Sequence, residues 1–222
     1  SFPYVLNETF YSIKKKWSEY YREYYDLDNY QAPIYDGLEI AKVKKKYGEQ
    51  ITHLSFNPQG NALVYTVNTL GKQELMLHTL DDGKTTRLFK NEKKNPFQSA
   101  DVNYPIVTWT PNGRSLYLLY EWKDVKYLRY LYLDDLDDFE EEDIPENYQR
   151  IYSMDFVEGD KLLFSGSYNG VSDLFYYKPS ARSTKRITED FWDDLDAQYV
   201  NSQGRSGILF RSNRETYTLK TE

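Results

Sequence analysis

The sequence predicts a mainly β chain built from repeated small antiparallel sheets, and three observations carry that prediction. The first is the stretch 104–133, YPIVTWTPNGRSLYLLYEWKDVKYLRYLYL, which reads as three strands joined by two turns. An apolar run ends at Trp109, the turn Thr110-Pro111-Asn112-Gly113 follows, and a charged loop separates strands at 115–120 and 127–133. Pro presets φ at the second turn position, and Gly takes a positive φ without steric cost. Tyr, Leu, Ile and Val suit a half-buried pleated surface. The second observation is that the unit recurs. SFNPQGNALVYT begins at Ser55, MDFVEGDKLLFSG begins at Met154 with a shorter turn, and QYVNSQGRSGILFRS begins at Gln198 with a longer one. The third is the spacing. The aromatic anchors Phe56, Trp109, Phe156 and Tyr199 lie 53, 47 and 43 residues apart. A third strand follows each anchor: ELMLHTL, KYLRYLYL, SDLFYY and TYTLK, with Leu75, Leu128 and Leu174 placed 19, 19 and 18 residues after their anchors. Repeats of about 40–50 residues, each a small antiparallel sheet, are the blades of a β-propeller.

Taken in order, residues 1–34 form a helical N-terminal segment. Apolar side chains fall at Phe10, Ile13, Trp17, Tyr20 or Tyr21, and Tyr24, the spacing of an amphipathic helix. Asn7 is the expected N-cap and Glu8 suits the first turn. Lys14, Lys15 and Lys16 read as a solvated face in preference to an anionic membrane surface. The sequon Asn7-Glu8-Thr9 sits at the helix start and is discounted as a glycosylation site.

Residues 35–222 form the propeller. LEIAKV at 38–43 is one strand without a blade. Blade one spans about 50–90, and a polar linker leads to blade two at about 104–150. The outer part of blade two, 134–146, holds nine acidic residues in thirteen. A calcium-binding EF-hand loop needs a Gly at its sixth position, and none occurs here. A solvated acidic loop, dispensable for folding, is the expectation. Blade three spans about 151–190, with Asn169-Gly170 as a hairpin turn. Blade four, 192–222, has three strands. Either 38–43 pairs beside 216–220 to close a small ring, or the four blades are an arc of a larger propeller; the arc is favoured.

Composition narrows the function. The chain has 222 residues, a net charge of −7 and no Cys. The charge argues against a nucleic-acid partner, because phosphate binding needs a basic face. The missing Cys excludes disulfides and thiolate metal sites. No run approaches the roughly 18 apolar residues of a membrane-spanning helix. The chain starts at Ser1, which suggests a processed form or part of something longer. The 23 Tyr, 11 Phe and 4 Trp are read as cross-strand pairs and core volume in preference to a carbohydrate- or peptide-stacking surface.

No catalytic motif is present: no Gly-x-Ser-x-Gly, phosphate-binding loop or dinucleotide fingerprint. His53 and His78 lack the spacing of a metal site and are read as structural. No catalytic residue, metal or cofactor is therefore assigned. The binding candidates are the segments entering each innermost strand, which gather around a propeller's channel. They contribute Gln50, Asn103, Tyr104, Tyr148, Trp192, Asp193, Asp194 and Asp196. This mixture of acids, amides and aromatics suits a basic or extended peptide. For Asp196, capping of backbone amides between blades stays equally open.

The repeats resemble the WD-like blades of TolB-type propellers. Phe56-Asn57-Pro58-Gln59-Gly60 and Trp109-Thr110-Pro111-Asn112-Gly113 match the family's turn. Ile208-Leu209-Phe210-Arg211-Ser212-Asn213-Arg214 matches its strand ending. Arg186-Ile187-Thr188 is similar to its blade closure, and Trp192-Asp193-Asp194-Leu195-Asp196 to its inter-blade linker. The third and fourth turns lack the Pro, and Asn or Gln replaces the turn Asp. The resemblance covers about residues 50–222 and implies a ring of six or more blades. It implies a non-catalytic protein–protein interaction scaffold, in a protein complex of the periplasm or cell envelope of a Gram-negative bacterium. The alternative is the substrate-gating propeller of a prolyl-oligopeptidase-like serine peptidase whose catalytic domain is absent from this chain. A sugar-binding or sugar-cleaving propeller is a third class. The helical segment is similar to the last helix of metallopeptidase-like domains that sometimes precede such propellers. No His-Glu-x-x-His occurs, so no peptidase chemistry carries over.

Overall fold

The computed structural model describes residues 8–30, 48–69, 71–92, 101–145, 148–202 and 204–214. The chain divides into two units, Ser1–Ile40 and Ala41–Glu222. In the first, helix α1 (Phe10–Tyr24) is capped by Thr9, whose Oγ1 accepts the Ser12 amide at 3.1 Å. The cap is thus Thr9 and not the expected Asn7, which lies outside the described residues. Thr9 has the extended backbone that lets a short hydroxyl reach the third helical amide. Glu8 accepts from Ser12 Oγ and pairs with Lys16. Along one face the rings meet at helical spacing: Tyr20 stacks on Tyr24 at 5.8 Å, and Trp17 meets Tyr21 edge-on at 5.2 Å. No residue of α1 is buried.

In the second unit each repeat folds into its own antiparallel sheet. The first contains β1 (Glu49–Phe56), β2 (Ala62–Thr69), β3 (Lys72–Thr79) and β4 (Thr85–Glu92). The second contains β5 (Ile106–Trp109), β6 (Ser115–Trp122), β7 (Val125–Tyr132) and β8 (Phe139–Asp143). The third contains β9 (Arg150–Val157), β10 (Lys161–Tyr168), β11 (Val171–Lys178) and β12 (Ser183–Arg186). The fourth shows β13 (Asp194–Ser202) and β14 (Arg205–Ser212). The predicted strands at 38–43 and 216–220, and with them ring closure, lie outside the described residues.

Local chemistry sets the hairpins. Asn57 Oδ1 accepts the amides of Asn61 and Ala62, each at 3.0 Å, while Gly60 takes φ +73°. The side chain therefore stands in for a backbone turn. Asn169 and Gly170, at φ +53° and +83°, make the predicted two-residue turn that pairs Tyr168 with Val171. Lys123 and Asp124 adopt the same left-handed pair, at φ +51° and +64°. The stretch between β6 and β7 is thus a two-residue hairpin turn.

The core lies between the sheets, not within them. Val64, Leu75 and Phe89 of the first sheet pack on Trp109, Leu116 and Leu118 of the second. Tyr117, Leu119 and Leu128 of the second pack on Met154, Leu162 and Phe164 of the third. Val157, Leu163 and Leu174 of the third meet Ala197, Tyr199 and Ile208 of the fourth. Alternate residues of one strand therefore serve opposite interfaces, as the period of two requires.

The acidic run meets expectation only in part. The run is solvated as expected, with Leu136 and Glu142 half-buried within an otherwise exposed 134–143, but Phe139–Asp143 is β8, the outermost strand of the second sheet, and not a loop. Cations and phenols make this tolerable. Glu141 accepts from Tyr120 Oη at 2.8 Å and Arg129 Nε at 2.6 Å. Glu142 accepts from Tyr177 Oη at 2.8 Å, reaching across to the third sheet. Arg182 pairs with Asp143 at 2.7 Å, and Ile144 is buried. The Arg129 guanidinium sits 4.1 Å from the centre of the Phe139 ring. Part of the segment is thus a strand whose side chains reach the third sheet through Glu142 and Asp143.

Candidate functional site

The innermost strands β1, β5, β9 and β13 wall a cavity of about 460 Å³. The residues immediately before the four anchors, Ser55, Thr108, Asp155 and Gln198, all line it. Bulges re-aim others inward. In β1 the register slips between Thr52 and Ser55, and His53 takes φ +50°. In β13 it slips between Leu195 and Gln198, and Asp196 takes φ +54°. In β9 it slips between Ile151 and Ser153, leaving Tyr152 without a cross-strand partner. An extra residue in one strand of a pair bends it and turns a side chain out of the ladder. Here all three bulged residues line the cavity.

Asn103 ties two walls together. Its carbonyl accepts from His53 Nε2 at 2.5 Å, which places the ring proton on that nitrogen. Its side-chain amide donates to the Ile151 and Tyr152 carbonyls at 3.4 and 3.2 Å. Asp101 Oδ1 accepts the Asn103 amide at 2.9 Å and pairs through both oxygens with Arg150. Burial pushes the His53 imidazole below its usual pKa, against the opposing pull of the Asn103 carbonyl. His53 is therefore neutral near pH 7.

The two carboxylates of the cavity differ. Asp155 is committed: Oδ2 accepts the Tyr199 amide at 2.7 Å, and Oδ1 accepts the Phe156 amide at 2.9 Å and Thr108 Oγ1 at 3.2 Å. It holds three consecutive inner strands in place. Asp196 has a side chain that is 60% exposed and one ion pair, to Arg211 at 3.1 Å. Among the described lining residues there is no Lys or Arg. The cavity therefore presents the Asp196 carboxylate, shared with Arg211 outside the lining, the already hydrogen-bonded Asp155 carboxylate, amide and hydroxyl groups, and the Tyr152 and Tyr199 rings. Among the described residues no group of three or more His, Cys, Asp or Glu could hold a metal ion.

Of the residues singled out from sequence, Asn103 and Asp196 line this cavity. Gln50 lies exposed near the start of β1. Tyr104 is buried, and its hydroxyl accepts the Ile151 amide at 3.0 Å. Tyr148 is buried edge-on against Phe164 and Phe175. Trp192 sits in the exposed link before β13. Asp193 Oδ1 accepts the Ser172 amide at 3.2 Å. Asp194 is wholly buried and accepts from Arg214 at 3.0 Å. The structure adds His53, Thr108, Tyr152, Asp155, Gln198 and Tyr199 to the site. The anchor register could have found Thr108, Asp155 and Gln198; the bulges that aim His53 and Tyr152 have no sequence signal.

No protein-family model and no curated protein sequence matches the chain. Solved structures do. TolB from Acinetobacter baumannii superposes with a TM-score of 0.55 at 11% identity, over 73% of this chain and 41% of that one. The fold is a TolB-like β-propeller. A structure from a study of two prolyl endopeptidases matches at TM-score 0.51 and 12% identity, over 75% of this chain and 26% of that one. A putative dipeptidyl aminopeptidase IV from Bacteroides ovatus matches at 0.50 and 13%, over 76% of this chain and 34% of that one. The chain thus spans less than half the length of each of these proteins. At these identities the likeness is one of fold, which hosts many functions.

Proposed function

We propose that the chain is a non-catalytic protein–protein interaction scaffold, working in a bacterial cell envelope, whose inner cavity takes a basic, extended peptide segment of its partner. The observation that carries this reading is the charge of the cavity. Asp196 is exposed, with Arg211 as its ion-pair partner from outside the lining, Asp155 adds a second carboxylate that is held by two backbone amides and Thr108, and no described lining residue is cationic. A basic segment entering there gains charge-assisted hydrogen bonds, while an acidic one meets like charge. Asn103, Gln198 and the Tyr152 ring supply the polar and aromatic contacts that fix an extended backbone. The envelope location draws on the likeness to TolB. No helix among the described residues is long and apolar enough to cross a membrane.

The test is site-specific photo-crosslinking. A photoreactive residue at Gln198 is expected to capture a peptide-bearing partner from envelope extract, with the cross-link mapping to a Lys- or Arg-containing segment. The same residue at Lys185, exposed on β12, is expected to capture none. Equal capture from both positions, or capture only of acidic segments, contradicts the reading. The gating role in a serine peptidase draws on the same fold likeness alone. It is separated by whether a hydrolase domain accompanies this propeller in the intact protein.

A further inference from the structure

A second cavity, of about 460 Å³, opens between β4 of the first sheet and β6 to β8 of the second, and it shares no lining residue with the central one. Its volume falls within the roughly 300–1,000 Å³ of small-ligand sites. A bulge shapes one wall. Leu88 has no cross-strand partner in β4, so Leu88 and Phe89, neighbours in sequence, both reach the core shared with the second sheet. The opposite wall is aromatic. Tyr120 stacks on Tyr127 at 5.4 Å, and Trp122 packs on the same core yet is only half-buried. Among the described residues Trp122 meets no other ring, and its indole N–H has no acceptor. Two acceptors also lack a donor among the described residues. Asn91 is 6% exposed; its Nδ2 donates to the Glu121 carbonyl at 3.0 Å and to Gln73 Oε1 at 3.4 Å, which leaves Oδ1. Glu141 accepts from Tyr120 and Arg129 through Oε2, which leaves Oε1.

We propose that this cavity binds a neutral saccharide, with the apolar face of a sugar ring on the Trp122 indole and its hydroxyls donating to Asn91 Oδ1 and Glu141 Oε1. The charge inside does not call for an ion. Arg129 is paired with Glu141 and rests over the Phe89 and Tyr120 rings, and Lys90 stands exposed across the ladder from Glu74. A wholly apolar ligand would cover both acceptors without supplying a donor, which is unfavourable. A proline-rich peptide has the apolar face but lacks N–H groups at its prolines. A sugar ring combines an apolar face with a rim of hydroxyls, each of which donates as well as accepts. Trp and Tyr match it, since each pairs a flat apolar body with one polar group. The inference concerns a different cavity from the peptide site and stands without it.

The experiment titrates the 222-residue chain with cellobiose, maltose and N,N′-diacetylchitobiose to about 10 mM, followed by calorimetry and by the indole N–H signals in NMR. The Trp122 signal is identified by its loss in Trp122→Phe. At least one disaccharide is expected to bind with a millimolar or tighter Kd and to shift that signal. Trp122→Leu keeps apolar volume against the core but removes the flat ring, and is expected to weaken binding by about tenfold or more, as loss of an aromatic anchor does. Circular dichroism checks that the variant is folded. Asp196→Lys, in the central cavity, is expected to leave sugar binding unchanged, which separates this site from the peptide site. No binding by any of the three disaccharides overturns the proposal. So does binding that a folded Trp122→Leu retains in full, or that Asp196→Lys abolishes. The wild-type spectrum decides even where Trp122→Leu does not fold: binding that leaves the Trp122 signal in place, or a proline-rich peptide that shifts it where the sugars do not, also overturns the proposal.

Discussion

Trp109 and Phe56 occupy the same place in successive repeats, yet one is nearly sealed and the other is open to solvent. Their local sequences are alike: each precedes a turn carrying Pro, an amide residue and Gly, and each begins a pairing with a Leu. What differs is the neighbour. Trp109 rests on the first sheet and donates Nε1–H to the Ser55 carbonyl at 3.4 Å. The lesson is that a blade has no core of its own, and the value of an anchor is set by the sheet it faces.

The comparison predicts unequal costs. Trp109→Ala is expected to destabilise by about 3–5 kcal/mol, the usual range for a large buried aromatic. Phe56→Ala is expected to cost about 1 kcal/mol or less, because much of its ring is already in water. Equilibrium denaturation of both variants checks this; equal losses would mean that the faces are equivalent after all. Next in size is the acidic segment. Replacing 134–146 with a short Gly/Ser linker removes β8 and leaves Arg129, Tyr120 and Tyr177 without their carboxylate partners. A loss of about 2–4 kcal/mol is expected: three hydrogen bonds to carboxylates go, each worth less than the roughly 1.5–3 kcal/mol of a sheltered one because the acidic strand faces solvent. An unchanged melting transition would restore the loop reading.

The two cavity carboxylates give a smaller contrast of the same kind. Asp155→Asn keeps the shape but weakens bonds to two backbone amides and a hydroxyl, and is expected to cost about 1–3 kcal/mol. Asp196→Asn is expected to stay within about 0.5 kcal/mol, as exposed sites do.

The smallest effect is the pH response of His53. Its folded pKa lies below the unfolded value because burial disfavours the cation. The stability it contributes is therefore fully present above the unfolded pKa of about 6.5 and is lost as pH falls below that. Glu142 runs the other way. Burial raises its carboxyl pKa, so its penalty is relieved on acidification, near the carboxylate range. The His53 effect sets in as pH falls below about 6.5, above the ordinary carboxylate range. A His53→Gln variant is expected to flatten the stability curve in that window; an unchanged slope assigns the titration elsewhere.

The strand–turn–strand repeats were legible because they rest on local rules: period-two alternation, Asn or Pro in turns and Gly at a positive φ. The Asn169-Gly170 hairpin is such a case. Lys123-Asp124 shows the limit, since a left-handed pair without Gly carries little sequence signal. The acidic run misled because composition cannot reveal partners far along the chain. Glu142 is balanced by Tyr177 of β11 and by Arg182 in the link between β11 and β12. At the cavity, Asn103 and Asp196 were reachable from topology, since both enter inner strands. Tyr104 and Tyr148 enter inner strands too, but their rings turn into the packing between sheets. The register that decides which way a side chain turns depends on bulges, and only coordinates give those.

The central claim is that the cavity recognises positive charge along an extended segment, and peptide binding measured by fluorescence polarisation tests it most directly. Matched extended peptides bearing Lys/Arg, neutral or Glu residues would be titrated against the wild type and Asp196→Lys. The account predicts that the basic peptides bind wild type best, and that Asp196→Lys weakens them by about tenfold while preserving the fold, a change of about 1.4 kcal/mol. Binding that ignores peptide charge, or that Asp196→Lys leaves untouched, would contradict it.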